Sequence, residues 1–153
     1  EHLDSAINTV RRIITDLRPS VLDDLGLVAA LEWQLNEFEK RYQLECQFDN
    51  QVPALILDEK SHEVAVFRVF QETLTNIARH AGASRVEVVL AVNNNTLLLD
   101  INDNGIGISE ENKLKKGHYG ILGMNERIRS IGGSLELGAG TSGGTRVSLR
   151  LPL

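Results

Sequence analysis

The sequence predicts an α/β domain of the α+β kind, on three observations. Three segments repeat apolar residues at helical spacing, several others alternate apolar with polar residues as half-buried strands do, and glycine-bearing loops separate them. A length of 153 residues with 42% hydrophobic and 24% charged content suits one globular domain able to bury its own core. The net charge of −5 argues against a nucleic-acid partner, which calls for basic patches that displace counterions. The single cysteine, Cys46, excludes an intrachain disulfide and a cysteine-rich metal site, and fits a reducing compartment. No apolar run approaches the length of a membrane span and no secretory signal is present. The first residue, Glu1, already lies in a helical pattern, so a piece of a longer protein is expected.

Leu3, Val10 and Leu17 stand seven apart, with the pairs Ala6/Ile7 and Ile13/Ile14 between them, forming a heptad-like seam. A helix this short needs partners, either the rest of the chain or a second copy. An amphipathic helix folded onto its own domain is the other reading. Arg18-Pro19 ends it, because proline disfavours helix in the residue before it. Residues 20–26 read as a short connector. Leu27, Leu31, Leu35, Phe38 and Tyr42 then make the buried stripe of a second helix, with Trp33 off the stripe at a rim or on the surface. Residues 44–49 read as a strand and Val52-Pro53 as a turn.

A third helix is predicted over residues 58–80, with Phe67, Phe70, Leu74, Ile77 and Ala81 facing the core. Glu72, Asn76 and His80 stand four apart on nearly the opposite face, with Arg79 close by. Such a face can present an acid, an amide oxygen and a phosphate-contacting donor in a row; a solvated polar face has the same pattern. From Ala83-Ser84 a strand turns Val86, Val88, Leu90 and Val92 inward, and Asn93-Asn94-Asn95 reverses it into a second strand, making a hairpin. In that second strand Leu97, Leu99, Ile101 and Asp103 share a face, which puts a carboxylate at the end of an apolar row. Gly105 and Gly107 follow at once, where backbone must approach something closely or take positive φ. A carboxylate so placed can accept from an exocyclic amine; a plain Asp-Asn-Gly turn is the alternative.

Residues 109–117 form a polar loop whose Lys113, Lys115 and Lys116 face either phosphates or solvent. Gly120-Ile121-Leu122-Gly123-Met124 leads into a helix with Arg127, Ile128 and Ile131, offering free backbone N–H groups to an anion. Gly132-Gly133 ends it, and strands over residues 135–137 and 145–151 close the chain. Thr145 shares a face with Val147, Leu149 and Leu151, so its hydroxyl is expected to point to the same interior as Asp103.

Together the Glu/Asn/His helix face, the Asp-x-Gly-x-Gly loop, the glycine loop before a helix and Gly143-Gly144-Thr145 resemble the nucleotide-binding boxes of the GHKL ATPase superfamily. Within it the match is to the catalytic ATP-binding domain of bacterial sensor histidine kinases. Gln71-Glu72-Thr73-Leu74-Thr75-Asn76-Ile77-Ala78-Arg79-His80-Ala81 resembles the N box and Asp103-Asn104-Gly105-Ile106-Gly107-Ile108 the first glycine box. His118-Tyr119-Gly120-Ile121-Leu122-Gly123-Met124-Asn125-Glu126-Arg127 is similar to the second. Leu17-Arg18-Pro19-Ser20-Val21-Leu22 resembles the connector after the dimerisation helices of the nitrate-sensor and lipid-desaturase-sensor type.

The resemblance implies a two-layer Bergerat-type ATP-binding fold, a mixed and mostly antiparallel sheet packed on helices. It divides the chain into the end of a dimerisation helix (1–18), a connector (19–26) and a catalytic domain (27–153). It further implies that Asp103 accepts from the adenine amino group, with Thr145 near the same edge, and that Asn76 binds Mg²⁺ while Glu72 polarises the nucleophile. His80 and Arg79 would contact phosphate, Gly105 and Gly107 would admit the nucleotide, and His118, Tyr119, Gly120, Ile121, Leu122 and Gly123 would line its phosphate end. Residues 109–119 would form the ATP lid. The implied partners are ATP, a second protomer in the full-length kinase and a response regulator, in the cytoplasm, with a membrane met only through upstream segments.

One departure stands out. The family's acceptor histidine lies well upstream of the connector and is followed by an acidic residue. Here His2 is followed by Leu3, and His62 belongs to the catalytic domain. The acceptor is therefore expected outside this chain. Other assignments fit less well. An anti-sigma-factor serine kinase should lack the heptad-like segment and the Leu-Arg-Pro connector. A gyrase-type or mismatch-repair-type clamp would need a long lid and a transducer domain. A dinucleotide-binding enzyme would follow its glycine loop with a helix, and a non-catalytic interaction module would not need Asn76, Asp103 and Gly107 together.

Overall fold

The computed structural model of the protein describes residues 2–7, 9, 20–52, 55, 57–107 and 119–153. In chain order its elements are α1 (Ser20–Leu25), α2 (Leu27–Tyr42), β1 (Glu45–Asn50), α3 (Lys60–Asn76), a π-helical turn (Ile77–Ala81), β2 (Arg85–Asn93), β3 (Thr96–Asp103), α4 (Tyr119–Arg129), β4 (Ser134–Ala139) and β5 (Thr145–Pro152). The strands make one sheet in the order β1-β2-β3-β5-β4. Only the β1–β2 pair is parallel; the other three pairs are antiparallel, so the sheet is mixed and mostly antiparallel as expected.

Alternation along the strands sorts the sheet into two faces. Val86, Val88, Leu90, Leu97, Leu99, Ile101, Val147, Leu149 and Leu151 are buried and join Phe67, Phe70 and Leu74 of α3 and Met124 and Ile128 of α4 in one core. The opposite face is polar: Arg146 pairs with Asp100 at 2.7 Å across β5 and β3, and Arg85 with Glu87 at 2.8 Å on β2. The result is a two-layer α/β sandwich with helices on one side. The β2–β3 hairpin closes through Asn94 and Asn95 at φ 50° and 59°, the paired left-handed conformation of a type I′ turn, which asparagine tolerates.

Several sequence expectations need adjustment. The connector is itself helical: α1 buries Leu22 completely, and Lys60 at the start of α3 donates to the Leu22 carbonyl at 3.0 Å. Tyr42, placed in the buried stripe of α2, is 46% exposed, because α2 ends there and its ring rests against Phe38 with centroids 4.9 Å apart. Val92 is also exposed, beside the hairpin turn. Trp33 is 43% exposed, in keeping with its place off the stripe. The predicted third helix is two pieces, since the α-helix stops at Asn76 and the next turn is π. Residues 2–7 are helical, with Leu3 and Ile7 exposed. Val10, Ile13, Ile14 and Leu17 of the seam, Arg18-Pro19 and Pro53 lie outside the described residues.

Candidate functional site

Asp103 ends β3 with its carboxyl buried, at 5% exposure, below the row Leu97, Leu99 and Ile101. A buried carboxylate must be hydrogen-bonded. Here its Oδ1 accepts from the backbone N–H of Gly105 at 2.8 Å and from that of Thr145 at 3.3 Å. Among the described residues no hydrogen bond engages Oδ2, which leaves one fixed acceptor for an incoming donor. The structure connects Thr145 to Asp103 through its main chain, where the sequence pointed to its hydroxyl. Gly144, at φ +66°, makes this possible: a Cβ there would strike the Asp103 carbonyl and stand 2.5 Å from Oδ1. Gly107, at φ +77°, faces the Gly144 carbonyl across the same floor.

The glycine loop after Asp103 is fastened to the end of the π turn. Ile106 donates its N–H to the Ala81 carbonyl at 2.8 Å, and a Cβ on Gly105 would collide with that same carbonyl. Asn104 completes the joint. Its Oδ1 accepts from the N–H groups of Ser84 and Arg85, both at 2.9 Å, and its amide donates to the Ser84 hydroxyl at 2.9 Å. The helix bearing Glu72 and Asn76 and the loop bearing Asp103 therefore form one rigid frame. Asn76 is half-buried at the junction of α3 and the π turn, and Arg79 and His80 are exposed on that turn. A π turn takes five residues to close each hydrogen bond where an α turn takes four, and such turns recur at functional sites.

Glu72 faces the start of α4. A Cβ on Gly120 would lie 2.5 Å from the Glu72 Oε1, so glycine is what lets the carboxylate stand there. A cavity of about 510 Å³ opens beside it, lined by Arg68, Gln71, Glu72 and Thr75 from α3 and by Gly120, Gly123, Met124 and Arg127 from α4. Residues 68, 71, 72 and 75 share one helix face, and residues 120, 123, 124 and 127 share the facing one. The two helices are joined at Thr73, whose hydroxyl lies 3.6 Å from the Met124 sulfur. The cavity includes Glu72, Gly120 and Gly123 but neither Asn76 nor Asp103.

The predicted residues thus fall into two neighbouring groups on one frame. Asp103, Gly105, Gly107 and Thr145 form a buried acceptor pocket, and Glu72, Gly120 and Gly123 border the cavity. Ile121 packs partly on the core, whereas Leu122 is 57% exposed and points away from it. Tyr119 begins α4; His118 and the lid residues 109–118 lie outside the described residues. Sequence reasoning passed over Arg68, Gln71, Asn104 and Gly144. For Arg68 the available signal was its place four residues before Glu72, on the same helix face. Among the described residues no cluster of three or more His, Cys, Asp or Glu side chains is arranged to hold a metal ion, and no helix is long and apolar enough to cross a membrane.

Residues 61–153 match the family described as histidine kinase-, DNA gyrase B-, and HSP90-like ATPase. The chain is 35% identical over 147 residues to the oxygen sensor histidine kinase NreB of Staphylococcus carnosus, an alignment covering 96% of this chain and 42% of that protein. It is 34% identical to the sensor histidine kinase LiaS of Bacillus subtilis, covering 100% of this chain and 42% of that one. It therefore spans less than half the length of these relatives. Its fold is similar to that of the blue-light activated histidine kinase EL346 of Erythrobacter litoralis, with a TM-score of 0.68 at 20% identity over 83% of this chain and 45% of that one. It is also similar to the ATP binding domain of PrrB from Mycobacterium tuberculosis, with a TM-score of 0.62 at 23% identity over 80% and 90% of the two chains.

Proposed function

The chain belongs to the histidine kinase-, DNA gyrase B-, and HSP90-like ATPase family, and from that premise we propose that it binds ATP with Mg²⁺ and is the catalytic part of a protein-histidine kinase. The observation that carries this reading is the Asp103 pocket: a buried carboxylate with one oxygen held by two backbone N–H groups and the other open to a donor. The adenine amino group supplies that donor. A charge-assisted hydrogen bond in a dry pocket selects an amine over a carbonyl, and so adenine over guanine at this edge.

The donor set fits a nucleotide-borne magnesium ion. One amide oxygen, from Asn76, with no cage of carboxylates around it, suits Mg²⁺ that keeps waters and takes its other ligands from phosphates. When bound, the ion neutralises phosphate charge. Arg79 and His80, exposed on the π turn, contact phosphate, and Gly120 and Gly123 keep α4 open beside the transferring group. His118 and Tyr119 belong to the same end of the site. Glu72 then acts on the acceptor imidazole. The γ-phosphorus–oxygen bond to ADP breaks with its electron pair remaining on the β-phosphate. The imidazole nitrogen's lone pair forms the new nitrogen–phosphorus bond, and Glu72 holds the proton of the other ring nitrogen. In the full-length protein two protomers present the acceptor histidine, and the phosphoryl group passes to an aspartate of a response regulator, in the cytoplasm.

Calorimetric titration of MgATP into the parent, Asp103→Asn and Asn76→Ala proteins tests the reading. Asp103→Asn keeps an oxygen for Gly105 and Thr145 but turns the open acceptor into a donor. Its affinity is expected to fall by about 1.5–3 kcal/mol, roughly tenfold to a hundredfold. Asn76→Ala is expected to remove the Mg²⁺ dependence of binding. A folded parent that binds no ATP would make the chain an interaction module that keeps only the fold.

A further inference from the structure

We propose that the cavity beside Glu72 is where the acceptor segment docks, and that Arg68 recognises a carboxylate carried next to the acceptor imidazole. The inference rests on the reading of the Asp103 pocket as the nucleotide site. Arg68, Glu72 and Asn76 are successive turns of one face of α3. The nucleotide occupies the Asp103 and Asn76 side of Glu72, whereas the cavity lies on the Arg68 side and touches neither Asp103 nor Asn76. Glu72 therefore stands between two spaces, and an in-line displacement needs one for the donor and one for the acceptor.

Charge names the occupant's chemistry. Two guanidinium groups, Arg68 and Arg127, line the cavity against the single carboxylate of Glu72. An imidazole alone needs only Glu72; the remaining positive lining is complementary to an acidic side chain beside it. Arg68 is the better anchor because it is built in. Its Nη1 donates to the Gln71 Oε1 at 3.2 Å, and the Gln71 amide donates to the Gln34 Oε1 of α2 at 3.3 Å. Gln71 is only 6% exposed, so burial of its polar head is sustained by these bonds. The chain Gln34–Gln71–Arg68 holds a guanidinium at the mouth of the cavity before any partner arrives, which is what preorganised recognition of a carboxylate requires. Arg127 has no hydrogen bond or ion pair among the described residues and adds charge without a fixed direction. Gln34 and Gln71 are positioning residues.

The test is transfer from radiolabelled MgATP to an isolated helix-pair fragment of a sensor histidine kinase, its acceptor histidine followed by an acidic residue. MgATP affinity is measured separately by calorimetry. Arg68→Ala is expected to raise the KM for the fragment about tenfold while leaving the MgATP Kd unchanged. Arg68→Lys keeps the charge and part of the rate. Gln71→Leu gives a smaller loss of the same kind. Replacing the fragment's acidic residue by its amide should cost the parent as much as Arg68→Ala, and should cost the variant nothing more. Additive losses would overturn the proposal. So would an Arg68→Ala protein whose MgATP affinity falls in step with transfer, which would assign Arg68 to the nucleotide. A parent that binds MgATP yet transfers nothing to the fragment overturns the docking proposal alone; a parent that binds no MgATP overturns the reading beneath it.

Discussion

The Ile106 N–H donates to the Ala81 carbonyl at 2.8 Å, joining the loop after β3 to the last residue of the π turn. The bond sets how far Asp103 stands from the end of the helix that carries Asn76. It also explains why the residue before Ile106 is glycine: main chain meets main chain, and no side-chain atom fits between.

Gly105→Ala is expected to destabilise the fold by roughly 1–3 kcal/mol, because the added methyl meets a carbonyl fixed by its own hydrogen bond rather than a side chain that can swing away. Thermal unfolding reads the effect. An unchanged unfolding temperature would show that the loop and the π turn are not held in contact.

Gly120 and Gly123 separate two roles of glycine on one helix. A Cβ at Gly123 meets nothing within 4 Å, so Gly123→Ala should gain helix propensity and stabilise the protein by about 0.5–1 kcal/mol. Gly120→Ala meets only the flexible end of Glu72. That variant should fold and bind MgATP, while phosphotransfer drops on the order of a hundredfold as the carboxylate is pushed from its place. Equal transfer rates in the Gly120→Ala and parent proteins would remove Glu72 from the chemistry.

Asn104→Ala deletes three hydrogen bonds that lock β2 to the glycine loop. The freed N–H groups are near solvent, so a stability loss of about 1–2 kcal/mol is expected rather than the sum of three buried bonds. Amide exchange at Ser84 and Arg85 should accelerate before that of the β2 interior.

Burial pushes the Cys46 thiol up to about 11, and the charge of Glu39 beside it adds to the shift. The Cys46 N–H also donates to the Glu39 carboxylate at 3.0 Å, which keeps that charge close. The folded form thus holds its proton in a range where the unfolded chain has lost it. This contribution to stability is present below the ordinary thiol value and falls as pH rises from there towards 11. Alkylation by iodoacetamide near pH 8 should accordingly be much slower in the native protein than in denaturant. Equal rates would show an exposed, ordinary thiol.

Strong periodicity made the core legible in the sequence. Phe67, Phe70, Leu74, Ile77 and Ala81 are all buried, as are Leu97, Leu99, Ile101 and Asp103, because burial on one face imposes a repeat that composition alone reveals. The π turn was not legible, since Ile77 and Ala81 face the core at the same spacing in either helix form. Asn104 was read as a turn residue, and its clamp on Ser84 and Arg85 depends on a strand 19 residues earlier. Arg68 and Gln71 look like solvated helix surface until α2 and α4 are placed around them. The expected roles of Asn76 and Asp103 came from the resemblance between boxes; the pocket's geometry adds the two N–H donors and Gly144, whose lack of a side chain no strand pattern announces.

The parallel pairing of β1 with β2 has a consequence for how the chain reaches this fold. Glu45 aligns with Arg85 and Asn50 with Leu90, so β1 finds its place only after α3 and the π turn have been laid between the two strands. The β2–β3 hairpin, closed by two asparagines, needs no such wait. Folding should therefore zip from the hairpin outwards and add β1 last. Its backbone amides should be the first in the sheet to exchange, and strain or dilute denaturant should peel that edge while the Asp103 pocket stays closed.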